Sequence, residues 1–243
     1  LSGLMIIKDR NNTVSLKADE GLRECLQEVK LFAFDIDGTV TDSIEQIIVC
    51  FQRTFEYANL PVPTPEQIKG TIGMTLNKGI QSLLPDPTDE RLALETTQLY
   101  RDTFSVSPDI NVSILFDGIL DTFKALKSKG YMIAMATGKS RVGVDRLLDD
   151  CPELKDYFEI ICTGDKCESK PSPAMINEIS ALSGVPVGKI MGVGDAILDI
   201  QMFRNAKCHE LGVLTGVADF YAMDDFDAEF ILPKATDIIH YLD

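Results

Sequence analysis

No stretch of this 243-residue chain is apolar over the length needed to span a bilayer, and no signal peptide is expected. The chain opens on Leu1 rather than Met, and its first few residues are expected to be a remnant of expression. Basic residues are scarce: 23 Lys and Arg stand against 38 Asp and Glu, for a formal net charge of −15. A surface so acidic repels phosphate backbones and anionic lipid, so neither nucleic acid nor membrane is an expected partner. The same field opposes an anionic substrate at long range. A bound divalent cation and a few placed lysines would have to reverse it locally. The six cysteines, Cys25, Cys50, Cys151, Cys162, Cys167 and Cys208, show neither zinc-site spacing nor a dense disulfide framework. Reduced, mostly buried thiols of a cytoplasmic protein are the expectation. Internal repeats and low-complexity segments are also lacking. What remains is an ordinary globular composition, 45% hydrophobic, at a length that suits one large domain or a core with a smaller one.

The most informative segment is Leu31-Phe32-Ala33-Phe34-Asp35-Ile36-Asp37-Gly38-Thr39. Its four apolar residues read as a short buried strand that stops at two carboxylates. Acids at a buried strand end are costly unless a cation or substrate meets them. In open α/β sheets, that end is where ligands bind. Residues i and i+2 of an extended segment point the same way, so Asp35 and Asp37 can face one reaction centre. One carboxylate can act as nucleophile while the other handles protons. Gly38 permits a sharp turn, and the Thr39 hydroxyl can contact an oxyanion. A calcium loop fits poorly, because an EF-hand needs its glycine sixth and a helix before it; here Gly38 is fourth from Asp35 and follows a strand.

Residues 1–30 precede this motif as an extension, with a hairpin expected from Leu4–Lys8 and Thr13–Ala18 and a short helix over Gly21–Lys30. From about 44 to 113 the pattern is helical throughout. Ile44, Ile47, Ile48, Phe51 and Phe55 recur at helical spacing, and Leu76, Ile80, Leu83 and Leu84 form a second stripe. Thr64-Pro65-Glu66-Gln67 carries a capping box, and the region of Leu92 to residue 104 suggests a fourth helix. Beyond this block, strand runs at Tyr131–Ala136, Phe158–Cys162, Ile190–Val193, Leu211–Leu214 and Phe230–Leu232 alternate with helices. Such alternation predicts a Rossmann-like parallel sheet with helices on both faces. The predicted fold is therefore α/β, with an all-helical cap domain (47–113) inserted into a core made of 31–46 and 114–243.

Three further segments place chemistry at predicted strand ends. Thr137-Gly138-Lys139 offers a hydroxyl, backbone amides and a helix start to a phosphoryl oxygen. Lys170-Pro171-Ser172-Pro173 opens a helix with a lysine able to neutralise a carboxylate and a transferring phosphoryl group; Lys166 is the weaker competitor. Gly194-Asp195, with Asp199 four residues on, supplies hard oxygen ligands suited to magnesium.

The motif Asp35-Ile36-Asp37-Gly38-Thr39-Val40-Thr41-Asp42-Ser43 resembles the first motif of the haloacid dehalogenase superfamily in its phosphatase form. The other segments resemble the second, third and fourth motifs in order. Ala196 departs from the pattern, since many relatives carry Ser or Thr there. The stretches around Asn205–Cys208 and Leu214–Val217 resemble the phosphoglycolate phosphatase and phosphonatase branches.

The resemblance implies a magnesium-dependent phosphatase of a small phosphorylated metabolite, phosphoglycolate-like or a sugar phosphate. It would act through an aspartyl-phosphate intermediate. Asp35 is implied as nucleophile and Asp37 as acid–base, with Thr137 and Lys170 holding the transferring oxygens. Gly38, Thr39, Gly138 and Lys139 would contact substrate. Magnesium would be held by Asp35, the Asp37 carbonyl and Asp195, with Asp199 supporting, and Gly70–Leu76 would be the cap's specificity loop. Asp37 argues against a dehalogenase and a phosphonatase, although Lys69 or Lys78 could mimic the phosphonatase lysine. A phosphohexose mutase keeps Asp37 but carries a cap-linker histidine, whereas His209 and His240 lie far downstream. An inactive binding protein on the same fold would be expected to lack an acid at 35, 37 or 195, and all three are present.

Overall fold

The computed structural model describes residues 18–242. The hairpin expected near the start lies outside these residues, apart from Ala18, which instead opens helix α1 (Ala18–Glu28). Strand β1 (Leu31–Phe34) follows, and then four consecutive helices: α2 (Ile44–Tyr57), α3 (Pro65–Lys69), α4 (Leu76–Leu83) and α5 (Glu90–Val106). The chain then alternates through α6 (Ile119–Ser128), β2 (Met132–Thr137), α7 (Arg141–Asp150), β3 (Ile160–Thr163), α8 (Ala174–Ser183), β4 (Ile190–Gly194), α9 (Ile197–Ala206), β5 (His209–Val213), α10 (Phe220–Asp225) and β6 (Phe230–Leu232). The boundary expected between residues 46 and 47 falls inside the first turn of α2.

The six strands form one sheet in the order β3-β2-β1-β4-β5-β6, and every pairing is parallel. The alternation of side chains along each strand builds two cores. Phe32, Phe34, Met135, Val193 and Val213 face α6 and α7, while Leu31, Ala33, Ala134, Ala136 and Ile190 face α8 and α9. Phe34 meets Phe123 of α6 edge-on at 5.0 Å between ring centres. The strand order reverses at β1, which pairs with β2 on one side and β4 on the other. That is the topological switch point of an open α/β sheet, where ligands bind beyond the carboxyl ends.

Helices α2 to α5 bury a separate apolar cluster: Ile48, Phe51, Phe55, Ile68, Ile80, Leu84 and Ala93. The capping box read from the sequence opens α3: the Thr64 hydroxyl accepts from the Gln67 N–H, and the Gln67 side chain accepts from the Thr64 N–H. This helical insertion joins the sheet through two segments that bond to each other. Asp42 N–H donates to Ile114 O at 2.8 Å, and Phe116 N–H donates to Val40 O at 3.0 Å.

The packing of α9 on β4 is tight at Gly192, where an added Cβ would lie 2.3 Å from Cδ1 of the Phe203 ring. Gly192→Ala is expected to destabilise the protein by about 1–3 kcal/mol through overpacking, measured by denaturant unfolding. It should also weaken the site described next, because α9 carries Asp199.

Candidate active site

β1 ends at Phe34, and the Asp35 N–H continues the ladder to Val193 O at 2.9 Å. Asp35 is thereby fixed beside Asp195, which follows the last residue of β4. Asp35, Asp195 and Asp199 are all buried, and each presents a carboxylate oxygen within 4.8 Å of the others. One buried cation faces them. Lys170 Nζ donates to Asp35 Oδ1 at 2.6 Å and to Asp199 Oδ1 at 2.7 Å. Lys166, the weaker competitor, is exposed, whereas Lys170 is buried. The Lys170–Pro171 peptide is cis.

Each acid is held by dedicated donors. Asp195 accepts from Thr39 Oγ1 at 2.9 Å and from the Val217 N–H at 2.8 Å. The Asp199 carboxylate accepts the Ala196 N–H at 3.0 Å, which is one half of a capping box; the methyl of Ala196 cannot supply the other half. The Thr39 hydroxyl, expected to meet an oxyanion, is therefore committed to orienting Asp195. Gly38 adopts φ +88°, and an added Cβ there would lie 2.5 Å from Asp195 Oδ2. Its carbonyl accepts from Thr215 Oγ1 at 2.6 Å.

The charge balance is uneven: three buried carboxylates share one ammonium. Burial raises the Asp35 pKa to about 7; Lys170 pulls it back down, while Asp199 and Asp37 push it up. Burial also raises Asp195 well above the carboxylate range, reinforced by Asp35 and Asp199. For Lys170, burial favours the neutral amine, but Asp199 and Asp35 outweigh it and hold the ammonium charged.

Asp37 lies apart from this cluster. It accepts from Ser43 Oγ at 2.6 Å and pairs with Lys139 Nζ at 3.0 Å. Lys139 is thus the partner of the second acid rather than a solvated charge at a helix start. The buried Thr137 hydroxyl accepts the Lys139 N–H at 3.1 Å.

Asp35 and Asp37 both line a cavity of about 440 Å³, within the usual range for small-molecule sites. Its far wall comes from the helical insertion: Thr71 to Leu76, Ile47, Phe51, Tyr100 and Phe104. Arg101, Arg146 and Lys139 are its cationic side chains, while Lys69 and Lys78 do not line it. The loop 71–76 seats on the segments that follow β2 and β3. The Thr75 N–H donates to Ser169 Oγ at 3.0 Å, and a Cβ at Gly138 would lie 2.5 Å from Met74 O. Sequence reasoning missed Ser43, Ser169, Arg101 and Arg146. Ser43 lay within the first motif, whereas the other three carry no local pattern.

The model of the haloacid dehalogenase-like hydrolase family matches residues 32–213. The chain belongs to this family. A phosphoglycolate phosphatase of Vibrio vulnificus (strain YJ016) is 29% identical over 198 residues, covering 78% of this chain and 86% of that relative. One of Aquifex aeolicus (strain VF5) is 26% identical over 216 residues, covering 88% and 97%. Among solved structures, a haloacid dehalogenase-like hydrolase from Bacteroides fragilis superposes with a TM-score of 0.77 at 26% identity, covering 86% of this chain and 99% of that one. Among the described residues, no helix is long and apolar enough to cross a membrane.

The raised pKa of Asp35 bears on stability. An acid with a folded pKa near 7 and an ordinary value of 3.8 holds its proton more tightly when folded. The stability it contributes is present at low pH and is lost as pH rises through 7. Asp35→Asn removes that penalty. In metal-free protein the variant should melt at a higher temperature than wild type at pH 8, with a smaller difference at pH 5. Calorimetry at the two pH values reads this directly, and an equal difference at both would contradict it.

Proposed function

We propose that the protein is a phosphatase of a small phosphorylated metabolite, phosphoglycolate-like or a sugar phosphate. The supporting observation is the division of labour between the two acids on the cavity floor. Asp35 is locked to a buried ammonium at 2.6 Å, whereas Asp37 sits beside a hydroxyl and a second lysine in the open cavity. The first environment suits a nucleophile aimed at phosphorus, and the second suits a proton carrier.

In this reading Asp35 attacks phosphorus in line with the ester oxygen and becomes an aspartyl phosphate. Asp37 gives its proton to the departing oxygen. The regenerated carboxylate then takes a proton from the water that cleaves the acyl phosphate, which restores both acids. The Thr137 hydroxyl, the amides around Gly138 and the Lys170 ammonium hold the transferring oxygens. Most of the barrier reduction comes from positioning and charge neutralisation.

The residues present fit a hard divalent cation. Three buried carboxylates within 4.8 Å of one another exceed the single charge of Lys170, and their oxygen donors suit magnesium. Asp35, Asp195 and the Asp37 carbonyl would hold the ion, with Asp199 placing Lys170 beside it. When bound, magnesium supplies charge neutralisation to the phosphoryl oxygens.

We further propose that residues 47–113, together with the first turn of α2, form a cap that moves about the paired crossings at 40–43 and 112–116. Its loop 71–76 would admit small substrates and exclude water. The phosphonatase and mutase readings are disfavoured by the cavity wall, to which neither Lys69, Lys78, His209 nor His240 contributes. Relatives named phosphoglycolate phosphatase favour a phosphorylated carboxylic acid within the substrate class.

Phosphate release should be measured on phosphoglycolate, sugar phosphates, nucleoside monophosphates, pyrophosphate and phosphonoacetaldehyde. Turnover should require magnesium, stop with a chelator and return when the ion is restored. Asp35→Asn should be folded and inactive, and Asp37→Asn should lose about 10²–10⁴-fold in kcat. A folded Asp35→Asn protein that retains wild-type turnover would falsify the nucleophile assignment.

A separate expectation concerns loop seating. Gly138→Ala places a methyl against the Met74 and Gly73 carbonyls, which lie 2.5 and 2.8 Å from the added atom. The loop must retreat, so kcat/KM should fall at least tenfold while the fold is kept. Unchanged kinetics would mean that the loop need not close onto Gly138.

A further inference from the structure

At the amino ends of the strands, on the opposite side of the sheet from Asp35, three metal-ligating side chains converge. They are Cys25 of α1, His209 at the start of β5, and Glu229 immediately before β6. Their ligand atoms all lie within 4.8 Å of one another; Cys25 and His209 are half-buried and Glu229 is more open, leaving a path to solvent. We propose that this trio is a second metal site, for a borderline divalent cation such as Zn²⁺.

The donor set differs in kind from the carboxylate cluster. One sulfur, one imidazole nitrogen and one carboxylate oxygen match zinc or cobalt and poorly match magnesium. With three protein ligands, the remaining position falls to water. On binding, the Cys25 thiol and the protonated His209 ring each lose one proton to solvent, so that a thiolate and a neutral imidazole coordinate.

Two of the ligands are held in place before any ion arrives. Glu229 lies 3.0 Å from His209 Nδ1 through Oε1, and its Oε2 accepts the Glu210 N–H at 3.1 Å. Glu210 is gripped by Arg204 through two bonds of 2.9 and 2.7 Å. The same guanidinium donates to the carbonyls of Phe226 and Asp227, at 3.0 and 2.9 Å. The turn that delivers Glu229 is therefore braced by residues that are not ligands, the arrangement that tunes metal sites. Cys25 comes from a helix that precedes the sheet, so an ion here would pin α1 to the ends of β5 and β6.

The test uses the reduced full-length protein, stripped of metal and held in saturating Mg²⁺ so that the carboxylate site is filled. Titration with Co²⁺ should produce a near-ultraviolet thiolate-to-cobalt charge-transfer band that saturates at one ion per chain and is displaced by Zn²⁺. Cys25→Ser should abolish the band, and His209→Gln should weaken Co²⁺ binding at least tenfold. Zn²⁺ should raise the melting temperature of wild type and leave that of Cys25→Ser unchanged. Magnesium-dependent phosphate release should be the same in wild type and Cys25→Ser. Absence of the band, or a band that survives in Cys25→Ser, would overturn the proposal and leave the trio as a hydrogen-bonded cluster.

Discussion

Three carboxylates buried around one ammonium impose the constraint on which this molecule turns. Isolated ionised acids do not survive in a protein interior, so each must be paired, hydrogen-bonded or protonated. Lys170 bonds Asp35 and Asp199, Thr39 and Val217 hold Asp195, and the residual imbalance is carried by raised proton affinity at Asp35 and Asp195. Much of the surrounding backbone serves this cluster. Gly38 approaches Asp195 so closely that no side chain could be accommodated, and an added Cβ at Gly194 or Gly216 would overlap Asp199 or Asp195. The stability given up here is supplied by the two apolar layers on either side of the sheet.

The helical insertion answers a different requirement. A carboxylate cluster at a strand end is open to water unless something covers it. Loop 71–76 does so by setting its Gly73 and Met74 carbonyls against the Gly138 backbone, with the Thr75 methyl beside Gly164 and the Thr75 N–H bonded to Ser169 Oγ. Contact between main chains at Gly138 allows a close seat with little dependence on side-chain rotamers there. The aromatic and aliphatic wall of Phe51, Phe104 and Ile47 then encloses a volume suited to a metabolite.

Much of this was legible in the sequence because the signals were local. The acids at 35, 37 and 195, the hydroxyl at 137 and the lysine at 170 all follow apolar runs or open helices; the structure brings Asp35, Lys170 and Asp195 together with Asp199, while Asp37 pairs with Lys139 and Thr137 ends β2. The helical block was equally plain, since its apolar spacing and the Thr64–Gln67 capping box are short-range features. What could not be read was pairing across distance. The Thr39 hydroxyl turned to Asp195 instead of the cavity, and Lys139 found Asp37. The cysteines showed no zinc spacing because Cys25 meets its neighbours only through the fold. The early helix also starts sooner than its apolar pattern suggests, at Ala18.

The wide separation of the bonded pairs also bears on synthesis of the chain. Thr39 and Asp195 are 156 residues apart, and Lys170 and Asp35 are 135 apart. The helical insertion, by contrast, closes its own apolar cluster from consecutive segments. Emerging from the ribosome, the insertion can fold before Lys170 and β4 are made, leaving Asp35 without its cation and its neighbouring strand. The carboxylate cluster is therefore complete only once the segments carrying Lys170, Asp195 and Asp199 have been made. A nascent chain that stalls before β4 therefore holds a closed helical cluster beside an incomplete set of carboxylates.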